Sequence, residues 1–220
     1  MQNFFQRNRY GLLLICILLT IIVAPVVLDY YELRIVWDIA LSLVVISALY
    51  TLTQKRKTLI IGMTLAALSI IGIWGSFISP KFAVQLAHIL IDLVFISFIT
   101  FHIFTATFRS KVITRNVING AIAVYLLIGF FWTYIYALLH ILHPGSLTAT
   151  GKVLHGSYQV FMYFSFVTLT TLGFGDITPV TPLARSLVIL EAILGQVYLI
   201  VNVSWLVGLY VAHTREQRRG

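Results

Sequence analysis

The sequence predicts an all-α membrane protein: six transmembrane helices, with one short re-entrant helix between the last two. Three observations predict it. The 220 residues are 60% hydrophobic and only 10% charged, with a mean hydropathy of +0.97, where a soluble domain carries about 25% charged residues. Six apolar stretches, roughly 10–28, 35–52, 59–79, 84–108, 117–142 and 184–212, each reach or approach the ~20 residues a helix needs to cross ~30 Å of hydrocarbon. A seventh, about 157–169, is too short to cross.

The first stretch follows Arg7 and Arg9 and runs to about Leu28 without a small-x-small site. It reads as an uncleaved anchor rather than a signal peptide. Its Cys16, the one cysteine, excludes an intrachain disulfide and a Cys-based metal site, and reads as a small buried hydrophobe. Tight polar joints follow at 29–34, where Tyr30 and Tyr31 can anchor at the headgroups beside Asp29 and Glu32, and at 54–58. No internal repeat is present.

The charges fix the orientation. Arg7, Arg9, Lys55, Arg56, Lys57, Arg109, Lys111, Arg115, Arg215, Arg218 and Arg219 fall on one side, and Arg34, Lys81, Lys152 and Arg185 on the other, so the 15 basic residues split 11 to 4. This positive-inside bias places both termini in the cytoplasm of a multi-pass protein of the plasma (cell inner) membrane. The net charge of +8 is therefore topological, and implies lipid rather than nucleic acid as the partner.

A division is expected near residue 110. Residues 1–110 form a four-helix transmembrane domain, and 111–220 hold two spans separated by a long insertion, about 143–183. His143-Pro144-Gly145 ends the fifth helix. Tyr158 to Leu169 then has the length of about three helical turns. It must start and return on one side, because the flanking spans have fixed orientations. The chain beyond it, with Gly173, Gly175 and Pro179, is non-helical. Such backbone is tolerated at membrane depth only when packed in protein or lining a water-filled path.

Thr171-Leu172-Gly173-Phe174-Gly175-Asp176 suits the second case. A potassium filter replaces the ion's water by backbone carbonyls. Pointing successive carbonyls one way requires alternate left-handed residues, which glycine adopts at little cost. Gly173 and Gly175 alternate in that manner. Thr171 can add its hydroxyl at the inner end, with the carbonyls of Thr171, Leu172, Gly173 and Phe174 above it as potassium ligands. The side chains of Leu172 and Phe174 are expected to wedge against the short helix, whose carboxyl end carries partial negative charge.

The segment Thr168-Leu169-Thr170-Thr171-Leu172-Gly173-Phe174-Gly175-Asp176-Ile177-Thr178-Pro179 closely resembles the pore signature of potassium channels, and the resemblance covers about 117–212. It implies a tetrameric pore, each chain giving an outer helix, a pore helix, a selectivity-filter loop and an inner helix. It makes Thr170, Asp176 and Tyr163 filter supports, with Tyr163 the expected donor to Asp176. Gly195 falls where many members keep a hinge glycine. The pattern departs at Leu172, where Val or Ile is usual, and at Phe174, where Tyr is commonest. Tyr163-Phe164 replaces a frequent Trp pair, and Val167 stands where some members carry a Glu paired to the Asp. Phe174 lacks a hydroxyl that helps hold the filter's diameter, so weaker selectivity, down to a weakly selective monovalent cation channel, is the alternative.

The remaining residues bear on control. The fourth stretch, Val84 to Phe108, contains no Arg or Lys, so no steep voltage dependence is expected. The sixth ends near Ala212, which leaves control to the filter, lipid, tension, pH or a separate regulatory protein. Asp38, expected to be solvated, Asp92, expected to bond neighbouring helices, and Glu191, expected behind the filter or against a neighbouring chain, are the intramembrane acids. His140, His143 and His155 flank the outer approach as candidate proton sensors. His88 and His102 have a haem-like spacing, but no second helix offers matching partners. Asn202 and Ser204 are expected to face the cavity, with Tyr198 and Trp205 at a gate or in lipid. Lacking a paired catalytic constellation, the chain reads as a passive conductor rather than an enzyme, with potassium as permeant ion and no cofactor. One filter strand per chain makes a homotetramer.

Overall fold

The computed structural model describes residues 9–29, 34–52, 56–78, 81–110, 112–149, 152–153 and 157–217. Arg7, Tyr30, Tyr31, Glu32, Lys55, Lys111, His155, Arg218 and Arg219 lie outside the described residues. Among the described residues seven helices are formed: α1 Arg9–Asp29, α2 Arg34–Thr51, α3 Arg56–Ile78, α4 Phe82–Phe108, α5 Arg115–Leu142, α6 Tyr158–Leu169 and α7 Pro182–Gln217. Five of them, α1, α3, α4, α5 and α7, are long and apolar enough to cross a membrane, while the apolar runs Ile35–Thr51 and Tyr158–Leu169 are shorter.

α5 is the axis of the chain, with α1, α4, α6 and α7 all packed on it. Its start is set by Thr114, whose Oγ1 accepts from the backbone N–H of Val117 at 3.3 Å, satisfying one of the orphan donors of a helix amino end. Val124, Leu127, Phe130, Tyr136 and Leu139 bury its length. α7 is the opposite case. Its buried stripe, Ala184, Glu191, Gly195, Tyr198 and Asn202, recurs at helical spacing and meets α5 and α6. Ile189, Ile193, Val197, Ile200 and Val203 on its other faces are exposed. A helix apolar all round needs lipid or other protein to cover it.

The purely helical expectation needs one correction. Between α5 and α7 runs a small antiparallel sheet of β1 Leu147–Ala149, β2 Lys152–Val153 and β3 Ile177–Pro179, in the order β2-β1-β3. Thr148 pairs with Thr178 and Ala149 with Ile177, and Val180 N–H donates to the Ser146 carbonyl at 2.9 Å beyond the ladder. Two further expectations are corrected. Asp38 is 5% exposed rather than solvated, and Asn202 is 8% exposed, packed on the chain instead of facing open space. In both, packing against neighbouring helices covers a position that helix-by-helix reading left open.

Candidate functional site

The short helix α6 ends in a way that places everything after it. Thr171 N–H donates to the Thr168 carbonyl at 2.9 Å and Leu172 N–H to the Val167 carbonyl at 2.9 Å. These are the paired closing bonds of a Schellman end, which needs one left-handed residue. That residue is Thr171, with φ +61°. Glycine is the usual occupant, and a β-branched residue there is strained. Gly173 at φ +56° and Gly175 at φ +79° continue the alternation. Left-handed backbone thus occurs at three alternate positions, and the sequence signalled only the two glycines. The threonine was not foreseen because its conformation is imposed by the helix end.

The segment from Thr170 to Asp176 is exposed in the single chain. Leu172 is 61% and Phe174 66% exposed, which corrects the expectation that they wedge against α6: within the single chain both side chains stand clear of it. The structure brings Tyr163 and Asp176 together, the hydroxyl donating to Oδ2 at 2.7 Å. That bond raises the Tyr163 pKa above the ordinary tyrosine value, because the carboxylate holds the phenolic proton. Thr170 turns back on its own helix, its Oγ1 donating to the Phe166 carbonyl at 2.6 Å.

The back of α6 is held from two sides. Tyr125 of α5 donates to the Leu169 carbonyl at 3.2 Å, satisfying one of the orphan acceptors at a helix carboxyl end. Gly195 of α7 lies so close that an added Cβ would sit 2.8 Å from both the Leu169 carbonyl oxygen and its Cδ1. Gly129 of α5 likewise admits the Phe166 ring, 2.8 Å from where a Cβ would stand. Tyr198, read as a gate or lipid residue, instead donates to the Ala121 carbonyl at 2.6 Å and stacks with Tyr125 at 6.0 Å. Trp205 packs on Phe108, ring centres 4.6 Å apart. None of Tyr125, Gly129 and Ser165 carried a signal in the sequence, since each matters only through a tertiary neighbour.

Glu191 is enclosed between α5, α6 and α7, with Tyr136 and Ser165 at its carboxyl group. Asp92 of α4 accepts from Ser69 of α3 and stands 3.4 Å from His88 Nδ1. The His88 ring lies edge-on to Tyr134 and Tyr158. His102 stacks on Phe98 instead, so the two histidines serve separate packing sites. His140 packs on Phe161 at 5.3 Å, and His143 is exposed at the end of α5.

A family model described as ion channel matches residues 87–211, which is 125 residues of 220 and more than half the chain. No curated protein and no solved structure matches the chain.

Proposed function

Because the chain belongs to this ion-channel family, of the potassium-channel pore type, we propose that four copies surround one pore and conduct potassium passively. The family is not an enzyme class, and the chain is an integral membrane protein. In this reading α2 completes six spans, and α6 enters and leaves on one side. Residues 1–110 form a four-helix unit beside a pore unit at 111–220, and both termini are cytoplasmic in the plasma membrane.

The observation that carries the reading is the alternation of left-handed residues at Thr171, Gly173 and Gly175. It gives successive carbonyls a common direction, as replacement of a hydration shell requires. Strain at Thr171, where glycine would be free of it, is what a required hydroxyl would leave behind. In this reading Thr171, Leu172, Gly173, Phe174 and Gly175 line the ion path. Thr170, Tyr163 and Asp176 support it, and Gly195 is the hinge of α7 where that helix leans on Leu169. The exposed Leu172 and Phe174 are then covered by neighbouring copies.

The absent hydroxyl at Phe174 supports a second reading, a weakly selective monovalent cation channel. Bi-ionic reversal potentials in liposomes separate them: a large potassium-over-sodium ratio with block by barium is expected, and equal permeability would leave the weakly selective reading. Absence of any flux, with Gly173→Ala indistinguishable from wild type, would overturn both.

A further inference from the structure

The hydrogens around Glu191 do not balance if its carboxyl group is ionised. Glu191 is 0% exposed. Tyr136 Oη donates to Oε2 at 2.5 Å, and Ser165 Oγ lies 2.5 Å from Oε1. The same Ser165 Oγ lies 2.8 Å from the Gly129 carbonyl oxygen. A serine hydroxyl has a single hydrogen, and both a carboxylate and a carbonyl are acceptors only. Ionised, the group leaves these three contacts with two hydrogens, one from Tyr136 and one from Ser165. One short oxygen–oxygen contact would then hold lone pairs against lone pairs. A proton on Oε1 completes the set: Glu191 donates to Ser165, Ser165 to Gly129, and Tyr136 to Glu191.

The surroundings agree with that count. Among the described residues no basic side chain pairs with Glu191. The titratable groups facing it are Tyr136 and Tyr125 of α5, while α6 presents the hydroxyl of Ser165. An unpaired buried carboxylate is strongly disfavoured, whereas a neutral acid with all its bonds made is tolerated.

We propose that Glu191 is a positioning residue held as the neutral acid, its proton closing a joint that locks α7, α6 and α5 together behind the filter. Its functional half rests on the channel reading above. Loss of the proton places a charge opposite two phenols and leaves Ser165 to choose between the carboxylate and Gly129. The seat of α6 then loosens, and conduction falls as pH rises.

The test uses the full chain reconstituted in lipid. Infrared difference spectra should show a protonated-carboxyl band at neutral pH that is missing from Glu191→Gln. A carboxylate band in its place would overturn the proposal. In flux measurements Glu191→Ala should lower potassium permeation about tenfold, and Glu191→Gln, which supplies an N–H to Ser165 and a carbonyl to Tyr136, should restore it to within about twofold. The Gln variant should also lose the alkaline fall of wild type. Assembled Glu191→Gln protein as inactive as Glu191→Ala would show that the charge is needed, and would sink the idea. If wild type carries no flux, the channel reading fails, while the infrared band still decides the state of Glu191.

Discussion

Thr171 occupies a left-handed position that costs a β-branched residue roughly 1–2 kcal/mol relative to glycine. Thr171→Gly should therefore raise the thermal stability of the purified protein by about 1 kcal/mol while lowering potassium selectivity, because the hydroxyl is lost. Melting curves and reversal potentials read the two effects separately. A variant that keeps full selectivity would show the hydroxyl to be idle. Tyr163→Phe removes the bond to Asp176, and the expected result is a reduced potassium-to-sodium ratio with little change in melting temperature, since the pair is exposed. The bond also sets a pH window. With the Tyr163 pKa raised, its contribution is present below the ordinary tyrosine value of ~10 and disappears as pH climbs through the raised one. Alkaline solution should thus reproduce the reduced potassium-to-sodium ratio of Tyr163→Phe, and should leave that ratio unchanged in the variant itself.

Among the elements, the contact of α7 with α6 turns on one glycine. Gly195→Ala forces a Cβ against the Leu169 carbonyl, and overpacking of that kind costs typically 1–3 kcal/mol. Lower stability and lower flux together are expected. A hinge at Gly195 adds altered open times to that loss, so melting curves read the packing and single-channel records the hinge. Much of this architecture was legible in the sequence. The lengths of five spans, the shortness of α6 and the Gly173–Gly175 alternation are local properties, carried by composition and spacing. The sheet was not legible, because strands of two or three residues give no periodicity to read. Nor was the buried stripe of α7: a helix apolar on every face hides which face packs. The tie of Glu191 to Ser165 and Tyr136 was illegible for the same reason, since only the folded chain brings residues so far apart in sequence together.

At the scale of the molecule, the exposed apolar faces of α7, with Leu172 and Phe174, leave more unpartnered surface than a chain alone in water tolerates. Mild cross-linking in lipid should give a ladder ending at four copies, and a ladder stopping at two would contradict the proposed pore. The chain from 109 to 114 that joins α4 to α5 can extend at most ~20 Å, and α4 packs directly on α5 of its own chain. In the proposed assembly the four-helix unit of each copy therefore stays beside that copy's own pore helices. With no Arg or Lys in α4, conductance should vary only shallowly with membrane potential, and a steep curve would require charge from elsewhere. The ladder of β1 and β3 adds a mechanical route of its own. Ile177, which directly follows Asp176, is tied to Ala149, a short distance along the chain from the end of α5. A sideways pull on that end, as from a stretched or thinned bilayer, would reach the residue bordering Asp176 through the strands.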